Sequence, residues 1–295
     1  MQDIVIFLSG ARGLPVARAV AAAGHGIARI VVPDNAAGAN LVIACQDIGI
    51  PVRAARDVNG GDFLTSLSKL TPQLLVVAGY PTIFRRPLLD IAHYGAINLH
   101  GGRLPQYRGG SPLNWQILNG EPVAGISVIR LDEGIDTGDV LAEAEIVISS
   151  EDTIADVHAR ANELFPDLTV RVIARLEQGL IAGRKQNEDE ACYWHQRNDG
   201  DGHIAWDALN ATDASNFVRA ITRPYPGAFA YCEGARVRLY EAGVPPLMIR
   251  GAPGRVCYVQ RIGPYVACRD RAILVGDYEF EGDTSARLRH GTRLN

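Results

Sequence analysis

The sequence predicts an α/β protein: a Rossmann-like, mostly parallel sheet with flanking helices, followed by a smaller, mainly β C-terminal domain. Three observations predict it. Residues 4–8 and 74–78 are apolar runs without alternation, as in parallel strands buried on both faces. Helix-like segments separate the early strands at βαβ spacing. After residue 204 the pattern changes to short strands punctuated by turn residues, the signature of a small barrel-like or curled β-domain. The expected domains are therefore a larger α/β one over 1–203 and a small β-rich one over 204–295.

Along the chain, strand 4–8 leads into a turn at 9–13 and a helix over 14–23 that Gly24 ends. The turn holds only Gly10 and Gly13 of a G-x-G-x-x-G motif, which favours a plain turn over a dinucleotide site. Strand 27–32 exits through Pro33, Asp34 and Asn35. A helix follows over 39–47, then a short third strand entered through 49–52, a helix over 63–70 and strand 74–78. The loop after it carries Tyr80, Pro81, Ile83 and Phe84. Apolar side chains and a fixed proline at a strand's carboxyl end suit a flat, partly dry slot.

The next strand, from Ala96, sends Asn98 and His100 to one face, because strand side chains alternate. The loop beyond it contains Gly101, Gly102, Gly109 and Gly110, where backbone can approach a ligand closely. Ser111 and Pro112 read as the start of a helix closed by Gly120. Residues 123–131 are β-rich and lead into a turn holding Asp132, Asp136 and Asp139. Strand 140–148 and a long helix over 153–179 follow, with Pro166 expected to kink that helix. Residues 183–202 are polar and aperiodic, so they read as a linker or surface crossing, stapled by Tyr193 and Trp194. Beyond them are a helix over 213–221, a rigid turn over 223–229 and strands at 229–232, 237–240, 254–259, 265–268 and 272–275.

Composition narrows the function. The formal net charge is −4, which offers no global attraction for nucleic acid or an anionic membrane. The five cysteines are scattered without metal-ligand spacing, and His195 and His203 lack such spacing too. No metal is expected, and reduced thiols point to the cytoplasm. Residues 1–10 read as a first strand rather than a signal peptide, and no apolar run is long enough to span a bilayer.

Asn-x-His at 98–100, Leu-Pro-x-Tyr-Arg-Gly at 104–109, Pro-Leu-Asn-Trp at 112–115 and Gly-Ile-Asp-Thr-Gly at 134–138 occur in that order. Together they resemble the 10-formyltetrahydrofolate-dependent formyltransferases, strongly over residues 70–150 and in outline elsewhere. The resemblance implies a catalytic trio of Asn98, His100 and Asp136. It implies a folate site at Tyr80, Pro81, Ile83, Phe84, Asp132 and Gly134, held largely through backbone groups. It places an acceptor near Arg108, Gly109, Gly110 and Ser111. The implied co-substrate is 10-formyltetrahydrofolate, without a metal.

That chemistry suits these residue types. When an amine attacks a formyl carbon, an amide such as Asn98 or a protonated His100 can meet the oxyanion. A carboxylate such as Asp136 can set the state of the imidazole. The acceptor expected first is a nucleotide-linked amino sugar. The Ser-Pro-Leu-Asn-Trp run at 111–115 and the Pro-Tyr-Pro-Gly-Ala-Phe element at 224–229 look closer to the sugar N-formyltransferase branch. The runner-up is methionyl-tRNA formyltransferase, which carries a basic insertion after the second strand and a basic C-terminal domain. Here residues 33–48 contain no Lys or Arg, and residues 205–295 hold twelve Arg against nine acids. A formyltetrahydrofolate hydrolase and a non-catalytic folate- or sugar-binding module are weaker alternatives. A homodimer is left open.

Overall fold

The structure, a computed structural model, describes residues 1–45, 49–283 and 285–295. The chain folds as two compact units. The first comprises residues 1–112, 125–146 and 159–194, and the second 113–124, 147–158 and 195–295.

The first unit is organised by the sheet. Strands β1 (Ile4–Leu8), β2 (Ile27–Pro33), β3 (Val52–Ala55), β4 (Leu74–Ala78) and β5 (Ala96–His100) run parallel. A two-residue strand, β6 (Arg108–Gly109), lies outside this sheet. Strand β7 (Val123–Arg130) pairs antiparallel with β5, and β8 (Val140–Val147) completes the order β3-β2-β1-β4-β5-β7-β8. Every residue of β1 and β4 is buried, as the unbroken apolar runs require. The strand order reverses between β1 and β4, so the loop after β4 lies at a topological switch point, where open α/β sheets bind ligands.

The first two helices begin earlier than the sequence suggests. Helix α1 (Gly10–Ala22) absorbs the expected turn at 9–13. Gly13 lies inside it because a Cβ there would come within 2.2 Å of the Leu8 Cβ, so glycine lets the helix press against β1. Helix α2 (Ala36–Ala44) starts at Asn35, whose side chain accepts a hydrogen bond from the Gly38 N–H at 3.0 Å. The expected end of this helix, at 46 and 47, lies outside the described residues. Helix α3 (Gly61–Ser68) and the one-turn helix α4 (Arg86–Leu89) complete this half. Phe7 anchors the core between them, with Phe84 4.8 Å and Tyr80 5.5 Å away in edge-on contact.

Helix α5 (Pro112–Leu118) starts on the expected proline, and Gly120 closes it with φ +69°. Helix α6 (Ile154–Glu177) continues through Pro166. Its buried residues Val157, Ala161, Phe165, Leu168, Val172 and Leu176 recur at the helical spacing seen in the sequence. The segment expected to be a linker contributes a second two-residue strand, β9 (Tyr193–Trp194), which pairs parallel with β6.

The second unit contains α7 (Ala211–Ala220), capped by the Asn210 side chain. Its strands are β10 (Ala228–Cys232), β11 (Ala235–Leu239), β12 (Ala242–Gly243), β13 (Val256–Val259), β14 (Gly263–Ala267), β15 (Ala272–Val275) and β16 (Tyr278–Phe280). They form two sheets, β10-β11-β16 and β12-β15-β14-β13. The sheet changes because β12 leaves β11 to pair with β15, while β16 returns to β11. Among the described residues no helix is long and apolar enough to cross a membrane.

Candidate functional site

The site begins on β5. Asn98 lies opposite Val77 of β4 and Ile129 of β7, and His100 lies opposite Ser127. Two positions apart, both side chains leave the sheet on one face. No hydrogen bond ties up the half-buried Asn98 amide among the described residues. His100 is only 5% exposed, and its Nε2 lies 2.6 Å from the Tyr107 carbonyl oxygen. A carbonyl can only accept, so Nε2 carries a proton and donates it. Nδ1 then faces the Asp136 carboxylate, 3.5 Å from Oδ2.

Register makes that last contact informative. Because β7 is antiparallel to β5, with Ile97 opposite Arg130, the turn after β7 leaves beside the start of β5. It must fold back for Asp136 to reach His100. Asp136 adopts φ +54°, the left-handed region that few non-glycine residues occupy. Its Oδ2 accepts the Gly109 N–H at 2.9 Å.

Glycines and an aspartate shape this turn. Asp132 Oδ1 accepts from the Gly134 N–H at 3.0 Å and from the Thr137 hydroxyl at 2.6 Å. A Cβ on Gly134 would lie 2.0 Å from that hydroxyl, and one on Gly138 would lie 1.7 Å from the Arg130 carbonyl oxygen. As placed, Asp132 and Gly134 close the turn.

The β6–β9 pairing joins the glycine-rich loop to the segment around 190. Arg108 N–H donates to the Cys192 carbonyl at 3.0 Å, and Gly110 N–H to that of Trp194 at 2.8 Å. The Trp194 indole donates to the Gln106 carbonyl at 3.0 Å and stacks on Tyr107, 5.7 Å between centroids. Tyr193 and Trp194 thus staple the crossing, as the sequence suggests, and the loop they staple is the one that supplies the Tyr107 carbonyl to His100.

Arg108 differs from its expected place at an acceptor. Its guanidinium is fully buried. It donates to Glu188 at 2.6 and 2.9 Å, to Gln186 at 3.0 Å and to the Tyr193 hydroxyl at 2.8 Å. The Glu188 carboxylate beside it raises the Arg108 pKa, and the guanidinium in turn lowers that of Glu188. With its nitrogens so engaged, and the Gly109 and Gly110 N–H groups directed to Asp136 and Trp194, this part of the loop is braced from inside. Ser111, at φ +52°, is the half-buried residue that follows it.

The loop after β4 divides its side chains. Tyr80 and Phe84 are in the core rather than lining a slot. The Tyr80 hydroxyl donates to the Ala55 carbonyl at 3.2 Å, and burial pushes its pKa up to about 12. Pro81 and Ile83 are exposed, Ile83 by 66%. Asn59, which nothing in the sequence singles out, pins this loop. Its amide donates to the Ile83 carbonyl at 3.0 Å, and its oxygen accepts the Arg85 N–H at 2.9 Å. Among the described residues, no group of three or more His, Cys, Asp or Glu could hold a metal ion.

Gly102, one of the loop glycines of the sequence, gains a specific role from its neighbours. A Cβ there would fall 2.6 Å from His100 Nε2 and 2.5 Å from the Tyr107 oxygen, inside the hydrogen bond that orients the ring. Gly102→Ala should therefore fold but lower turnover roughly tenfold or more, because a displaced catalytic group loses its alignment. Steady-state kinetics beside a thermal melt check this; full activity would mean that the ring tolerates the shift.

Comparison with known proteins identifies the family. Residues 22–173 match the formyl transferase family and residues 198–290 match the formyl transferase C-terminal domain. A methionyl-tRNA formyltransferase of Desulfotalea psychrophila is 32% identical over 240 residues, 81% of this chain and 74% of that protein. Among solved structures, the sugar 3N-formyltransferase WlaRD, crystallised with dTDP and 5-N-formyl-THF, superposes with a TM-score of 0.71. At 16% identity it matches over 96% of this chain and 99% of its own. HypX of Aquifex aeolicus gives a TM-score of 0.65 at 19% identity, over 94% of this chain; the chain spans about half its length, 46%. These two likenesses concern the fold. The family matches cover both parts of the chain, and they rest on a relative alike over most of its length: the chain belongs to the formyl transferase family, and it is a formyl-transferring enzyme.

Proposed function

We propose that this enzyme moves a formyl group from 10-formyltetrahydrofolate to the amine of a nucleotide-linked amino sugar, within a catalytic domain over 1–203 joined to a β-rich domain over 204–295. The observation that favours this acceptor is that several arginines of the second unit are already engaged, while Arg250, Arg261, Arg269, Arg289 and Arg293 stay exposed. Arg236 and Arg238 both pair with Asp199 at 2.8 Å, and Arg238 also pairs with Glu281 at 2.7 Å. Arg223 pairs with Asp277, and Arg219 donates to Asn216 and to the carbonyls of Ser149 and Asp152. Arginines neutralised by carboxylates or turned inward do not release counterions from a polynucleotide. Helix α2, after the second strand, also carries no basic residue.

The folate suits the first unit. The β4 loop lies at the switch point, and Ile83 and Ile135 leave apolar surface exposed on the two loops assigned to it, by 66% and 50%. A flat pterin ring would cover such surface. The folate supplies an N-formyl group and a nitrogen that can leave. Asn98 donates its amide N–H to the oxyanion that forms when the amine attacks. His100, with Nε2–H committed to Tyr107, takes the amine's proton at Nδ1, and Asp136 stabilises the resulting imidazolium. The oxyanion then collapses, the C–N bond to folate breaks, and the leaving nitrogen takes the proton that His100 accepted.

The second reading, methionyl-tRNA formyltransferase, is favoured by the 32% identity to a protein of that name, well above the identity to the sugar enzyme. The deciding assay gives the protein 10-formyltetrahydrofolate with either methionyl-tRNA or dTDP-linked amino sugars, across a salt series. Sugar formylation with modest salt dependence is expected. Efficient formylation of the tRNA, falling steeply with salt and with no sugar accepted, would reverse the choice and leave the trio standing.

A further inference from the structure

We infer that Gln186 is a positioning residue for the catalytic carboxylate, an inference that rests on the formyl-transfer reading of the trio. The turn bearing Asp136 has to fold back towards His100 and hold Asp136 in the left-handed region, a conformation that persists only where the surroundings impose it. The Gln186 amide supplies that restraint. It donates to the backbone carbonyls of Asp136 and of Gly138, both at 2.7 Å. Two hydrogen bonds from one planar amide fix both sides of the Thr137 peptide segment, and with it the direction in which the Asp136 side chain leaves the turn.

The amide is itself held. Its oxygen accepts Arg108 Nε at 3.0 Å, which settles which end of the amide carries the donors. Arg108 is fully buried and clamped by Glu188 through both terminal nitrogens. A continuous chain of contacts thus runs from Glu188 through Arg108, Gln186 and Asp136 to His100. Gly109, next to Arg108, closes it into a loop by donating its N–H to the Asp136 carboxylate. Its φ of +94°, and the 2.3 Å that would separate a Cβ from the Trp194 carbonyl oxygen, leave only glycine able to do so. The Gln186 hydrogen bonds reach the Asp136 backbone and not its carboxylate, so the effect on the reaction passes through that backbone.

Gln186→Met keeps the length of the side chain and removes both donors. With 10-formyltetrahydrofolate and the better of methionyl-tRNA and a dTDP-linked amino sugar, kcat should fall about tenfold while KM for both substrates stays within about twofold. The pH dependence of turnover should move towards that of Asp136→Asn. In a double-mutant cycle, Asp136→Asn/Gln186→Met should be no slower than Asp136→Asn alone, because the positioned group is already gone. Unchanged kcat, or a loss that multiplies that of Asp136→Asn, would overturn the inference. If Asp136→Asn alone kept full activity, the trio reading would fail instead. Should Gln186→Met not fold, Glu188→Ala tests the same chain from its exposed end: a severalfold fall in kcat that vanishes on the Asp136→Asn background supports it, and an undiminished kcat refutes it.

Discussion

His100→Ala and Asn98→Ala are each expected to lower turnover by about two orders of magnitude or more, the size usual for losing an acid–base group or an oxyanion donor. The structure gives each loss a separate cause. His100 is 5% exposed and oriented at both ring nitrogens, by the Tyr107 carbonyl at 2.6 Å and by Asp136 at 3.5 Å. Alanine removes the ring that takes the amine's proton in the proposed reaction. Asn98 has no competing hydrogen bond among the described residues, so its N–H groups remain available for charge that develops only during the reaction. Folate binding should persist in both variants, since the β4 loop is pinned by Asn59 and not by the trio. Single-turnover formyl transfer together with folate binding by fluorescence checks both statements. Near-normal turnover in either variant would remove that residue from the trio.

How much of this was legible in the sequence depended on how local each cause is. Strands β1, β4 and β5 were visible because burial on both faces, or on all but one position, demands apolar residues within a few neighbours of one another. Helix starts were displaced where a cap or a close-packed glycine decides them: Asn35 and Gly13 look like turn residues until the neighbouring strand is in place. The approach of Asp136 to His100 was legible because the Asn-x-His and Gly-Ile-Asp-Thr-Gly motifs occur in a recognisable order. Arg108 was not, since an arginine in a glycine-rich loop reads the same whether it faces a ligand or a carboxylate 80 residues away. The β6–β9 pair is two residues long on each side and has no periodicity to detect. Its one trace was Tyr193 and Trp194 standing among polar neighbours, and Gln186 had no trace at all.

Asp136→Asn is expected to cost about two orders of magnitude in kcat at neutral pH while leaving the fold and the turn intact. The substitution is nearly isosteric, and the amide oxygen can still accept the Gly109 N–H that Asp136 now accepts at 2.9 Å. What changes is the group that faces His100. In the native protein a carboxylate lies 3.5 Å from Nδ1, so a proton arriving there creates an ion pair in a site where His100 and Asp136 expose only 6% and 14% of their side chains. With asparagine, the oxygen held by Gly109 is the same atom that faces Nδ1, so a neutral amide oxygen stands where the carboxylate stood. The imidazolium formed when Nδ1 takes the amine's proton then lacks its counter-charge, which slows the step. Because Nε2 is already committed to Tyr107, the ring cannot escape by changing tautomer. The variant should therefore bind both substrates with near-native KM, melt close to the native temperature, and show an altered pH dependence of turnover. Full activity with an unchanged pH–rate profile would reduce Asp136 to a residue that merely shapes its turn. Loss of activity with a collapsed melting temperature would assign the effect to folding. Loss of activity alone, with binding retained, would mean that the carboxylate acts on the imidazole during transfer.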